Sequence, residues 1–140
     1  MKKMKNVKAR KGFTLIELVI VVAIIGILAL MIIPQFNSVT ADAKVKTFES
    51  NCQTVVSAVA MFQAGNNGEW PASEDELAPY LNGGIDSLYG GDTSHDADHA
   101  SPKGATYTFE FTGPFDADNP FLDASYTDDN GEDHTFQYPS

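Results

Sequence analysis

Lys11-Gly12-Phe13-Thr14-Leu15-Ile16-Glu17 opens a run that stays apolar as far as Ile33, with Glu17 as its one charged residue. A carboxylate inside a membrane-length segment is expensive and points to function. Phe13 to Ile33 is 21 residues, a helix of roughly 31 Å that matches the hydrocarbon core of a bilayer. The basic residues ahead of it hold the N-terminus in the cytoplasm. A cleaved secretory signal peptide fits poorly, because the apolar stretch is too long and no small-x-small cleavage site follows it. An uncleaved signal anchor satisfies length and charge but has no use for Gly12 before Phe13, nor for Glu17.

The basic stretch, Gly12-Phe13 and Glu17 four residues beyond Phe13 resemble the type IV pilin family, including the pseudopilins of type II secretion and DNA-uptake machines. The resemblance is strong over residues 10–36 and weak beyond. It implies that a membrane prepilin peptidase cuts between Gly12 and Phe13 and N-methylates the new Phe13 terminus. Glycine suits such a subsite because it lets the backbone approach closely. The resemblance also implies that Glu17 of one subunit neutralises the methylated amine of Phe13 on its neighbour, an assembly salt bridge that gives register as well as attraction. The bland alternative is a Glu17 that reaches out to water. Thr14 stands close enough to assist. Gly26 and Pro34 are candidate positions of helix kinking or melting. Pro34 lacks an N–H and leaves the carbonyl of Leu30 without its helical partner.

The expected function is therefore the major pilin of a type IV pilus, a homopolymer built through its N-terminal helix. A major pseudopilin of a type II secretion or competence system is the runner-up, and a membrane-anchored binding protein is a third class. Implied partners are other copies of the chain, the prepilin peptidase, the inner-membrane assembly platform and its ATPase, and the membrane before assembly. The expected location is a single-pass membrane precursor and then a surface pilus, or a periplasmic or wall pseudopilus in the runner-up reading.

Charge supports a division of the chain. Six of the nine basic residues fall in the first 12 positions, leaving Lys44, Lys46 and Lys103 against all 19 acids. So acidic a remainder repels phosphates, and no direct nucleic-acid binding is expected. The segments read as a basic leader (1–12), a transmembrane and polymerisation helix (13–33), an amphipathic stalk helix (34–65) and a globular head (66–140). The fold class is α+β, a long N-terminal helix packed on a small antiparallel sheet. Cys52 is alone, so no intrachain disulfide closes the head.

Val45, Phe48, Cys52, Val55, Val59 and Phe62 recur at spacings of 3 and 4, an apolar helical stripe that Gly65 terminates. Cys52 on that stripe reads as a small core residue rather than a reactive thiol. Asn66 to Pro71 is a loop. Ser73 and Glu76 form a capping box for a short helix that Pro79 ends early. Residues 90–104 read as a mobile loop. Tyr107, Phe109 and Phe111 alternate with polar residues as a strand, Phe121 to Tyr126 is a second, and His134, Phe136 and Tyr138 mark a third. Asn130-Gly131 signals the hairpin between the last two, giving three or four strands.

No cofactor is expected from the pattern of residues. Asp116, Asp118, Asn119 and Asp123, with Asp128 and Asp129 nearby, are the candidate Ca²⁺ ligands, although their spacing does not match an EF-hand loop. His95-Asp96-Ala97-Asp98-His99 carries four ligand types without an apolar frame and reads as a solvated loop. No nucleophile and base pattern is evident, so the chain reads as non-catalytic. The aromatics Phe13, Phe36, Phe48 and Phe62 read as packing rather than as a conduction path.

Overall fold

The computed structural model describes residues 12–140 and, for residues 33–38, the backbone alone. Of the leader, only Gly12 lies within the described residues, and the side chains of Pro34 and Phe36 lie outside them. One long helix, α1, spans Leu15–Gly65 and runs through Gly26 and Pro34. Contacts divide the chain into two compact units, one up to Ser38 and one from Val39 to Ser140.

Among the described residues of the first unit, the helix from Leu15 to Ile32 is apolar and packs on nothing. None of the 18 residues Leu15–Ile32 is buried. Leu15, Leu30 and Met31 expose 81%, 72% and 70% of their surface. A helix satisfies the backbone of so apolar a run from within, yet water gives its side chains no reason to stay exposed.

The second unit holds the core. The stripe expected on the helix is buried at Phe48, Cys52, Val55, Val59 and Phe62, with Ala41 and Ala58 beside it. Full burial of side chains such as these stabilises by about 1.5–3 kcal/mol each. The polar face carries exposed Asp42, Lys46, Glu49, Gln53 and Ser57. Against the stripe lies an antiparallel sheet in the order β1 (Thr106–Phe109), β2 (Leu122–Thr127), β3 (Asp133–Tyr138). β2 alternates strictly, with Leu122, Ala124 and Tyr126 inward and Asp123, Ser125 and Thr127 outward, as one buried face requires. Ala124 sits between Tyr107 and Phe136 in register. The ring of Phe48 lies 5.9 Å from those of Tyr107 and Tyr126.

Three details differ from the sequence expectation. β1 stops at Phe109, because the ladder ends after Glu110 N–H donates to the Phe121 carbonyl and Gly113-Pro114 turns the chain away. Phe111 stays on the aromatic face, 5.5 Å from Phe121, without a strand beneath it. The Ser73 hydroxyl makes no cap bond to the short helix α2 (Glu74–Leu77). Instead Glu76 reaches back to the N–H of Ala72 at 2.8 Å. Pro79 then occupies a 3-10 turn, Ala78–Tyr80.

Residues 90–104, expected to be a mobile loop, are fastened to the core. A further 3-10 helix, Ile85–Tyr89, leads into them. Ala100 and Ala105 are buried, and Ser101 N–H donates to the Leu88 carbonyl at 2.7 Å. From α1, the Asn51 amide donates to the Ser101 carbonyl at 2.7 Å and to the Tyr107 hydroxyl at 3.1 Å. The Tyr107 hydroxyl donates to the same carbonyl at 2.7 Å. Asn66 to Pro71 is a loop as expected, but its end is part of the core: Pro71 is buried and the Trp70 ring packs on Phe115, Phe121 and Tyr138 at 4.8–5.6 Å.

Two outcomes follow from this core. Phe48→Ala should lower stability by about 3–5 kcal/mol, read from denaturant unfolding of the full-length protein in detergent. Cys52 is fully buried, and burial pushes its thiol up to about 12. A maleimide at pH 8 should therefore leave the native protein unlabelled and modify it fully after denaturation.

Candidate assembly segment and hairpin pocket

The start of α1 is a reciprocal cap. Thr14 precedes the helix, and its N–H donates to Glu17 Oε2 at 2.8 Å. The Thr14 hydroxyl donates to the same oxygen at 3.0 Å, and Glu17 N–H approaches Thr14 Oγ1 at 3.4 Å. Thr-x-x-Glu at the head of a helix is the capping-box pattern. The pattern stands in the sequence at residues 14–17 as it does at Ser73 and Glu76, but within an apolar run the carboxylate stands out as a charge rather than as a cap. Glu17 thus has a local task within its own chain.

The glycines nearby have no such task. A Cβ on Gly12 or on Gly26 would meet nothing within 4 Å. Glycine inside a helix costs about 1 kcal/mol relative to alanine, and this chain's own packing does not call for it at Gly26. Phe13 exposes 89% of its surface.

The second unit carries a polar cluster at the β2–β3 hairpin. Thr127 pairs with Asp133, and Asp128 N–H donates to the Glu132 carbonyl at 2.9 Å. Gly131 N–H returns to the Asp128 carbonyl at 3.0 Å with Gly131 at φ +83°. This is a three-residue turn with glycine in the left-handed position, not a two-residue Asn-Gly turn. Asp128 Oδ1 accepts from the N–H groups of Asn130 and Glu132, each at 2.9 Å, and Asp128 Oδ2 accepts from the Asn130 amide at 3.3 Å. These donors, Glu132 N–H foremost, hold its carboxyl below the usual range. Among the described residues it is the one buried charged group, 8% exposed. Lys44 of α1 clamps the turn through Asp129 at 2.7 Å.

His134 faces this turn. Its Nε2 lies 3.6 Å from Asp128 Oδ2, too far for a hydrogen bond. Nε2 is shielded from solvent and has no hydrogen-bond partner. A cleft of about 260 Å³ opens beside it, lined by Asp42, Val45, Lys46 and Glu49 of α1 and by Asp128, Asn130, Glu132 and His134 of the hairpin. Ligand atoms of Asp128, Glu132 and His134 lie within 4.8 Å of one another. The sequence conceals this trio because His134 reads as one inward position of an alternating strand.

The other candidates fare differently. Asp116 Oδ1 accepts from the N–H groups of Asp118 and Asn119 at 2.9 Å, and Asn119 donates to the Pro114 carbonyl at 2.9 Å. These groups tie their own turn. Among the described residues, the acids Asp116, Asp118 and Asp123 do not converge on a common point. His95 bonds Asp86 at 2.8 Å. Ser94 Oγ lies 3.2 Å from His99 Nδ1, and His99 Nε2 lies 3.7 Å from Asp92. That is a hydroxyl and base pairing the sequence does not reveal. Ser94 and His99 are exposed on a surface loop, where water competes for both.

The prokaryotic N-terminal methylation motif matches residues 7–33, which places the N-terminal segment in the class of proteins that bear it. The chain is 45% identical over 64 residues to a fimbrial protein of Neisseria meningitidis, covering 46% of this chain and 37% of that one. It is 45% identical over 62 residues to a type IV major pilin protein of Neisseria gonorrhoeae, covering 44% and 37%. It is 34% identical over 70 residues to the type II secretion system core protein G of Pseudomonas aeruginosa, covering 50% and 49%. The chain thus spans less than half the length of these curated relatives, and no solved structure matches it. Over this segment the chain is similar to type IV pilins and to a type II secretion core protein.

The hairpin geometry separates two carboxylates. Asp128→Ala removes a buried carboxylate and takes the acceptor from the Asn130 and Glu132 N–H groups of a part-buried turn, whereas Lys44→Ala frees Asp129 from an exposed ion pair of small worth. The urea midpoint should fall clearly in the first variant and hardly move in the second.

Proposed function

We propose that this chain is a structural, non-catalytic subunit of a type IV pilus, cleaved between Gly12 and Phe13, methylated on Phe13 and polymerised through its N-terminal helix. The observation that carries the reading is an 18-residue apolar helix, Leu15–Ile32, none of it buried, beginning inside a matched methylation motif. Such a surface is stable only in lipid before assembly and against other copies of itself afterwards. Gly12 and Gly26 add to the case, since neither is needed by the chain's own packing. Gly12 leaves the backbone open to a peptidase, and Gly26 together with Pro34 offers a place where the helix can bend or loosen in a filament. The peptidase, an inner-membrane platform and an assembly ATPase are the partners of this route, which leads from the membrane to the cell surface.

A major pseudopilin is the second reading. The alignment with the secretion core protein G extends over 70 residues, beyond the 64 shared with the meningococcal fimbrial protein. Processed protein in material sheared from the cell surface would support the pilus. The same terminus confined to membranes would support the pseudopilin, and an intact Met1 would overturn both.

Glu17→Gln separates capping from charge. Glutamine still offers an oxygen to the Thr14 N–H, as capping boxes allow, but it cannot neutralise a neighbour's Phe13 amine. The variant should be processed normally and yield almost no filaments. Normal filament yield would reduce Glu17 to a helix cap.

A further inference from the structure

The cleft at the β2–β3 hairpin is lined by residues of the second unit, outside the N-terminal segment on which the proposed function rests. We propose that Asp128, Glu132 and His134 form a binding site for a divalent transition-metal ion of the zinc class. The hairpin register sets the trio together, because Tyr126 pairs with His134 and Thr127 with Asp133, so Asp128 and Glu132 emerge next to the histidine.

The separations suit such an ion. Asp128 Oδ2 and His134 Nε2 stand 3.6 Å apart. Two ligands of a tetrahedral zinc ion with bonds of about 2.0–2.1 Å lie roughly 3.4 Å from each other. All three ligand atoms fall within 4.8 Å, which side-chain rotation of exposed Glu132 can tighten.

The second observation concerns the imidazole. The His134 side chain is 28% exposed, but its Nε2 is the one buried side-chain nitrogen or oxygen among the described residues without a hydrogen-bond partner, Asp128 Oδ2 standing 3.6 Å away. Leaving such an atom unpaired is costly, and native structures seldom do so. A metal ion on that lone pair satisfies it. Asp128 is already oriented by two backbone N–H donors on Oδ1, the kind of outer support that fixes metal ligands. Asp42 and Glu49 line the same cleft, with Lys46 as the opposing charge, so the field favours a divalent cation. The open side leaves room for water in the remaining coordination positions. An imidazole with two carboxylates selects zinc or a similar first-row ion, whereas Ca²⁺ and Mg²⁺ take shells of oxygen.

The test uses the full-length protein in detergent, stripped with EDTA and dialysed against Zn²⁺ alone. One tight equivalent per chain is expected, retained against excess Ca²⁺. His134→Gln and Glu132→Gln should each weaken it at least about tenfold, the loss that even outer-shell changes produce. His95→Gln and His99→Gln should leave it unaltered. Protection of Cys52 from maleimide confirms that a variant is folded, and Glu132→Gln decides the matter if His134→Gln unfolds. Absence of a tight equivalent, equal affinity in a folded His134→Gln or Glu132→Gln protein, or loss in the His95 or His99 variants instead would overturn the site.

Discussion

The head of this protein depends on one helix presenting a single apolar stripe. Phe48, Cys52, Val55 and Val59 are all at or below 1% exposure, and the sheet meets them with Tyr107, Leu122, Ala124 and Tyr126. A three-stranded sheet has only one face to bury, and it is marginal by itself. Remove the helix stripe and the strands would keep only the loop residues around Trp70 and Tyr89 as hydrophobic partners. The same stripe fixes strand register, because a slip of one residue on β2 would carry Leu122 and Tyr126 to the solvent side. The loops follow suit, with Asn51 reaching from the helix to fasten the segment around Ser101.

The parts of the fold that a linear pattern encodes are legible in the order of residues. Spacings of three and four along Val45–Phe62, alternation along the strands, and Asn130-Gly131 each reflect a local period or a local turn. What escapes such a reading depends on residues far apart in sequence. The Asn51, Ser101 and Tyr107 network joins positions 50 and 56 residues apart, and no periodicity announces it. Trp70 reads as a loop residue because its neighbours are Asn, Gly and Pro, yet its ring stacks on three others brought in by the sheet. The end of β1 is hidden too, because alternation describes which way side chains point, not whether the next backbone N–H still has a partner.

Candidate sites divide along the same line. Gly12, Phe13 and Glu17 are close in sequence and stand out by their order alone. The acids of 116–123 resemble ligands by composition, but the carboxylate of Asp116 is taken up by the N–H groups of its own turn. Asp128, Glu132 and His134 converge because the hairpin folds back; Asn130-Gly131 signals that hairpin in the sequence, but not that the turn brings its side chains onto the His134 ring.

The reciprocal bonds between Thr14 and Glu17 bear on how a subunit passes from one environment to another. In the lone chain the carboxylate already has two donors, so it is not a bare charge waiting for a mate. Both Thr14 donors fall on Oε2, and an ionised carboxylate has about four acceptor positions over its two oxygens. In the filament proposed above, a neighbour's amine would therefore add to the cap rather than replace it. The residue that would take the partner's charge would keep its own helix start closed.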